Sequence, residues 1–574
     1  MTSKYSIFTK GRLYSSYLVL GIVCVSVFSS CKKNMLDTKP LGSFSDPAVW
    51  SDGALIGTFV SNTYRIMPHD FRYSAALGMG CVTDELFKRG GAADFINSGN
   101  ITPSNLGILN YWNNDVNTAG VGQGTAYWPA ITKCNLFFDR IDASPVAQAA
   151  KDQMSGEMKF LRAFAYFNLI SLYGGVPLIT KPFALTDDFN VPRDTYENCL
   201  KFVVDELDAA AALLPVEYAA KDQGRVTKGA ALAAKARVLL YDASPLHNPS
   251  NDQAKWQKAA DAAKAVIDLN KYSLYSNYAS LFFRGNSYNS EVIWSRPFDR
   301  LADPETTYLD LSLYPNGYNG FGQVHPLQNL IDDYEMTNGE LPVLGYNSDG
   351  SQIINPAAGY DPQNPYVNRD PRFYATILYD GAPFKDRNVE TFLPGGMDSN
   401  EGPLSGWNAT LTGYYVRKFL DETTTNPSGN NHSSVPYIYF RYAEVLLNYA
   451  EAMYNLGDEP ICRQYLNMIR SRPGVGMPDI TESGPALMDR IINERRIELV
   501  FEGHRYFDVR RWKIAPQVLN IPGKKMSIQK TGPNRTFTVS DFNPRVFTDK
   551  NYLIPVPQSE IEKNALLVQN PGYN

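Results

Sequence analysis

Glu498 and Glu502 stand four residues apart in INERRIELVFEGHRYFDVRRW, residues 492–512, a stretch dense in Glu, Arg and large aromatics. On a helix this spacing puts both carboxylates on one face, and a carboxylate pair is what glycosidic hydrolysis requires. That chemistry needs one of the two held protonated by a raised pKa. The interleaved arginines argue against it. Arg495 lies three residues before Glu498 and Arg505 three after Glu502, so each carboxylate has a cation within helical reach that would lower its pKa. The pattern favours an ion-paired scaffold that carries Tyr506, Phe507 and Trp512 into the packing, with a glycoside hydrolase as the enzymatic rival.

Other chemistries find less support. The five histidines, His69, His247, His325, His432 and His504, form no H-E-x-x-H, and the chain has neither a G-x-S-x-G elbow nor a Walker loop. Zinc hydrolysis, nucleophile-elbow chemistry and phosphate-cradle binding are therefore disfavoured, no catalytic residue is assigned, and no cofactor is implied. Asn347, Asp349 and Ser351 alternate in an oxygen-rich loop, which leaves a structural calcium open without completing an EF-hand. Cys81, Cys134, Cys199 and Cys462 are spaced too widely for a metal-ligand pattern and read as isolated thiols, with one bridge left open.

The N-terminus speaks to compartment. Lys4, Lys10 and Arg12 form a basic region without an acid, and residues 17–28 follow as an apolar run too short to span a bilayer as a mature helix. This is a secretory signal. It ends in Ser29-Ser30-Cys31, which resembles a bacterial lipoprotein cleavage site with Cys31 as the lipidated first residue, although Phe28 stands where a branched aliphatic is commoner. Cleavage would remove three cations and no acid, taking the formal charge from −5 to −8 over residues 31–574. So acidic a chain has no electrostatic footprint for nucleic acid. No second apolar run reaches spanning length, so any membrane attachment rests on the lipid.

The elements that must position these residues are mostly helical. Apolar spacing predicts helices over residues 50–67, 147–173, 194–214, 228–242 and 252–269, then 440–456, 459–471 and 485–501. Gly174-Gly175 and Pro215 stop two of them, and Thr227 can cap a third. The runs are paired, amphipathic and separated by short turns, and alanines crowd residues 230–236 and 259–265. This favours close packing in a mainly α, tetratricopeptide-like superhelical scaffold, although no strict repeat period is present.

Between the two helical blocks, residues 270–436 are rich in Pro, Gly, Asn and Tyr. So long a non-helical region in a compact chain is commonly functional. Tyr272 to Trp294 reads as structural, with a strand at 291–294. Tyr314, Tyr318 and Phe321 occur among Gly317, Gly320 and Gly322, a context suited to exposed rings. A similar patch holds Tyr111 and Trp112 among asparagines. Aromatic faces beside Asn and Asp suit neutral glycans, because a pyranose face stacks on a ring and its hydroxyls need partners at the edge.

Several stretches resemble the SusD/RagB family of Bacteroidetes outer-membrane lipoproteins. They are GEMKFLRAFAYFNLISLYGGVPLI (156–179), GRVTKGAALAAKARVLLYDAS (224–244), NRDPRF (368–373), YFRYAEVLLNYAEA (439–452), LNMIRSRPG (466–474), the 492–512 stretch and YLIPVPQSEIEKNALLVQNPGY (552–573), in the family's order. The resemblance implies a signal peptide over 1–30, a lipidated tether over 31–45, an N-terminal helical region over 46–270 and a C-terminal region over 271–574 packed with it as one unit. It implies a non-catalytic, surface-exposed lipoprotein of the outer membrane that binds a nutrient and delivers it to a SusC-like TonB-dependent transporter. The nutrient is an oligosaccharide in most members and a peptide in some. Family ligand sites lie on variable loops corresponding here to 93–112 and 284–321. The expected stacking rings are therefore Trp112, Tyr111, Tyr314, Tyr318 and Phe321, with Asn113, Asn114 and Asp115 as hydroxyl partners.

Overall fold

The computed structural model describes residues 46–71, 76–91, 93–112, 126–298, 309–404, 406–428 and 433–573. The expected leader, Cys31 and tether lie outside these residues. The described chain falls into two compact units, a small one ending at Phe59 and including Ala143–Val146, and a large one of Val60–Asp142 and Ala147–Asn574.

Ten helices carry the frame: α1 (Gly53–Arg65), α2 (Trp128–Arg140), α3 (Gln148–Tyr173), α4 (Tyr196–Leu213), α5 (Lys228–Ala243), α6 (Gln253–Asp268), α7 (Tyr442–Asn455), α8 (Glu459–Arg470), α9 (Pro485–Glu498) and α10 (His504–Arg511). Their ends follow from side-chain chemistry. Thr195, Thr227, Asp252 and Asp458 each accept a backbone N–H of the first turn, satisfying donors the helix itself leaves open. Gly174 stops α3 at φ 75°, a conformation that costs glycine little.

Within the large unit successive helices pack on one another from α2 to α8, α2 on α3, α3 on α4, α4 on α5 and α5 on α6, then α6 on α7 and α7 on α8, while α9 packs on α7. Small residues permit the close approach. Ala230, Ala231, Ala233, Ala234 and Ala236 of α5 are all buried, as are Ala259, Ala260, Ala262 and Ala263 of α6. A Cβ on Gly156 of α3 would lie 3.0 Å from Leu213 Cβ. Arg162 of α3 also donates to Glu206 of α4 at 2.7 Å.

The contact of α6 with α7 makes the two helical blocks one succession, so the long middle region is an insertion between neighbouring helices. Its neck is a strand pair, β2 (Val292–Arg296) against β6 (Tyr437–Arg441), antiparallel, with Trp294 opposite Phe440. Inside the insertion, β1 (Leu86–Lys88), from the N-terminal part of the chain, pairs with β3 (Val324–Pro326), and β4 (Val343–Tyr346) with β5 (Gln352–Ile354). A longer hairpin, β7 (Gly523–Thr531) with β8 (Asn534–Asn543), follows the helices. Among the described residues every sheet has two strands, so the fold is mainly helical with irregular loops.

Several helix boundaries differ from expectation, and one of them bears on the carboxylate pair. The 485–501 run ends at Glu498, and Phe501 turns back at φ 63° before α10 starts. Glu502 therefore sits in a turn and does not share a helical face with Glu498.

Candidate functional site

The carboxylates of the 492–512 stretch lie in a buried ion network. Glu498 is 0% exposed and receives Arg441 at 2.7 Å, Arg472 at 2.9 Å and Arg372 at 3.1 Å. Glu502 takes Arg441 Nε and Lys418 Nζ, each at 2.8 Å. Burial alone would raise the Glu498 carboxyl, but Arg472, Arg441 and Arg372 override it and hold the group well below the usual carboxylate range. Glu502 is likewise lowered, against its burial, by Arg441 and Lys418. Neither is the protonated acid that glycosidic hydrolysis needs.

The expected ion pairing holds, but the partners differ. Arg495 donates to Asp508 and Arg505 to Asp84, each at 2.8 Å, because the chain turns after Glu498 and carries Arg505 away. The guanidinium groups that reach the two glutamates come from NRDPRF, YFRYAEV and LNMIRSRPG, and the ammonium of Lys418 from the insertion. Arg372 further holds Asp370 at 2.7 Å, and Arg470 holds Glu494 at 2.9 Å and Glu335 at 2.8 Å. Four sequence motifs thus meet at one buried centre that joins the insertion to α8 and α9. The neighbouring cavity lined by Glu502 and His504 is about 80 Å³, too small for a sugar ring beside its aromatic walls.

Most of the rings expected to stack a ligand are packed inside. Tyr111 stacks on Tyr127 with centroids 5.9 Å apart, and Trp112 packs against Trp128 at 5.4 Å and Tyr173 at 5.0 Å. These two are buried and brace α2 against the end of α3. Tyr314 is 0% exposed, and its hydroxyl donates to the Asp421 carbonyl. Tyr318 is clamped between Phe384, 4.9 Å away, and the Arg387 guanidinium at 4.1 Å, and its hydroxyl donates to the Phe384 carbonyl at 2.6 Å. The assignment of these four as stacking rings is corrected accordingly: their faces are taken by protein. Asn113, Asn114 and Asp115 lie outside the described residues. Asn347, Asp349 and Ser351 bond to one another in the β4–β5 turn, with Ser351 Oγ donating to Asp349 at 2.6 Å and Asn347 to Ser351 at 2.9 Å. The four cysteines are free and buried.

Phe321 is the exception. Only half-buried, it lies 5.3 Å from Trp407, which is 57% exposed. Together the two rings present an apolar face to solvent. The pair stands on three fixed loops. Phe321 N–H donates to the Leu311 carbonyl at 2.6 Å, and Arg89, just after β1, donates its N–H to the Gln323 carbonyl at 2.9 Å. The Arg89 guanidinium reaches the Ala409 carbonyl at 2.8 Å, and Asn408 Nδ2 reaches the Gly320 carbonyl at 2.8 Å. Gly320 and Gly322 are needed for this approach, since a Cβ at Gly322 would meet the Asn408 carbonyl at 2.8 Å and one at Gly320 the Tyr314 carbonyl. Arg89 Nε and Asn408 Oδ1, both buried beneath these loops, have no hydrogen-bond partner among the described residues. The arrangement offers two tilted apolar rings, of which Trp407 is the exposed one. Trp407 was not singled out in the sequence; its only signal is a lone Trp between Gly406 and Asn408 in a polar loop.

Two family models match the chain. One, described as the SusD family, covers residues 290–573, and the other, described as starch-binding associating with outer membrane, covers residues 92–240. SusD-like protein P25 of Formosa agariphila is 26% identical over 462 residues, 77% of each chain. The crystal structure of a SusD-like protein from Bacteroides fragilis matches with a TM-score of 0.76 and 30% identity, covering 93% of this chain and all of that one. A SusD-like carbohydrate-binding protein of the same species, at TM-score 0.75 and 28% identity, covers 91% of this chain. With the helical succession, the insertion and the motif-built ion centre on the same chain, the protein belongs to the SusD-like family.

Proposed function

We propose that this protein captures a glycan at the cell surface and passes it to a SusC-like TonB-dependent transporter, acting as a binding protein without catalytic residues. The observation that carries this reading is the pairing of exposed Trp407 with half-buried Phe321 on loops tied together by hydrogen bonds. Sugar rings are recognised by apolar stacking joined to hydroxyl contacts. The carbohydrate-binding relative and the starch-binding family model support the ligand class. Attachment to the outer membrane is assigned to a lipid on Cys31. Among the described residues no helix is long and apolar enough to cross a membrane.

The test is isothermal titration of residues 31–574 with neutral oligosaccharides of several linkages. Trp407→Ala with Phe321→Ala should cost about 2–3 kcal/mol, on the order of 30–150-fold in affinity, at an unchanged melting temperature. Wild-type affinity in the double variant would remove the site. Binding of peptides but of no oligosaccharide would replace the ligand class.

A further inference from the structure

The hairpin of β7 and β8 has two long edges, and the rest of the chain covers only one of them. Along β7 the outward backbone is taken up. Lys524 N–H donates to Asn329 Oδ1 at 2.7 Å, Met526 N–H to the Thr412 carbonyl at 2.9 Å and Lys530 N–H to the Leu393 carbonyl at 2.7 Å, while the Ile528 carbonyl accepts from Leu393 at 2.8 Å. The register pairs these residues with Asp541, Val539, Arg535 and Phe537 of β8, so the backbone groups of that second set face the opposite edge, away from β7. Among the described residues only Phe537 finds a backbone partner there. Gln363 supplies it with one side-chain amide: Phe537 N–H donates to Oε1, and Nε2 donates to the Phe537 carbonyl, both at 3.1 Å.

An open edge strand is a template for another strand. The middle of β8, Thr536-Phe537-Thr538-Val539-Ser540, has no charge, proline or glycine, a composition that pairs readily. It is also self-complementary. In an antiparallel pair of two copies centred on Thr538, Phe537 lies opposite Val539 of the second copy, Thr536 opposite Ser540 and Arg535 opposite Asp541. Phe537 and Val539 both face outward, so they would exchange backbone bonds, and the exposed Thr538 side chains would meet across the twofold axis. Arg535 and Asp541 already hold Asp380 and Lys524 of their own chain, so the pairing rests on the uncharged middle. It needs the N–H and carbonyl of Phe537, the two groups that the Gln363 amide occupies.

We propose that the β8 edge is a surface for pairing with a second copy of this chain, and that Gln363 guards it by holding its amide where the second strand would bond. Gln363 is exposed, in a turn fixed by Asp361, so replacing it leaves the core untouched. The test uses residues 31–574 with Cys31→Ser, in which the four described native thiols are buried, and Thr538→Cys as reporter. Pairing centred on residue 538 brings the two reporter Cα atoms to about 4.5 Å, within disulfide range. With Gln363 in place the reporter should stay monomeric under mild oxidation. Adding Gln363→Ala should raise the disulfide-linked dimer about tenfold or more, because pairing then breaks no amide bonds. Thr531→Cys, at the hairpin end, should stay unlinked in both backgrounds. Without a reporter, Gln363→Ala should self-associate in sedimentation, and added Val539→Pro should restore the monomer, since it removes an outward donor and no β7–β8 bond. Equal cross-linking with and without Gln363, a monomeric Gln363→Ala chain, linking at residue 531 equal to that at 538, or association that survives Val539→Pro would overturn the proposal.

Discussion

Glu498 shows how far a carboxylate's meaning depends on what surrounds it. With three guanidinium groups on two oxygens it is a structural counter-ion, and removing it would leave Arg372, Arg441 and Arg472 buried without their shared partner. Loss of one member of a buried ion cluster costs about 3–5 kcal/mol. Glu498→Ala should therefore shift the urea unfolding midpoint down by an equivalent amount. A variant as stable as wild type would contradict the scaffold role, and so would hydrolysis of fluorogenic glycosides by the native chain that Glu498→Ala abolishes. The density of charge in residues 492–512 was legible as ion pairing. The identity of the partners was not, because Arg372 and Arg441 come from motifs 126 and 57 residues away. The aromatic site was legible only through Phe321. Tyr314 and Tyr318 share its glycine-rich setting, and only the packing under the loop separates the rings that hold it from the one it displays.

At the level of elements, eight of the ten helices were readable from their periodicity, whereas α2 was not predicted and α10 was not separated from α9. Thr227 and Gly174 act as their residue types suggest. The strand pairings were not readable, apart from the existence of β2, since β2 and β6 meet across the whole insertion and β1 pairs with β3 from a distant part of the chain. The loop that carries Phe321 is held by close backbone crossings. Gly320→Ala would force the chain away from the Tyr314 carbonyl and move Phe321 off Trp407. Oligosaccharide affinity should fall by roughly tenfold or more, about 1.4 kcal/mol, with a smaller effect on thermal stability than Glu498→Ala. Wild-type affinity in this variant would mean that the ring pair is not the ligand platform.

For the whole molecule, the buried ion network predicts a pH profile. Glu494, Glu498 and Glu502 are all lowered from the ordinary glutamate value of 4.5. A depressed folded-state pKa adds stability that is fully present above the unfolded value and lost as pH falls through the folded one. The network's contribution should therefore be lost on acidification, and the melting temperature should drop steeply below about pH 4.5. A melting curve insensitive to acid would show that the network contributes little. Membrane attachment has its own test. Labelled palmitate should enter the wild-type chain and not Cys31→Ser, which should move to the soluble fraction. Equal labelling of both would exclude that anchor.

The neck formed by β2 and β6, with α6 already seated on α7, closes the helical frame whatever length of chain runs between the strands. Beyond the neck, Asp370 and Arg372 plug the insertion into the same buried charges that hold α9. The loops that carry Phe321 and Trp407 can therefore be altered while those strands and that plug keep the helices in place.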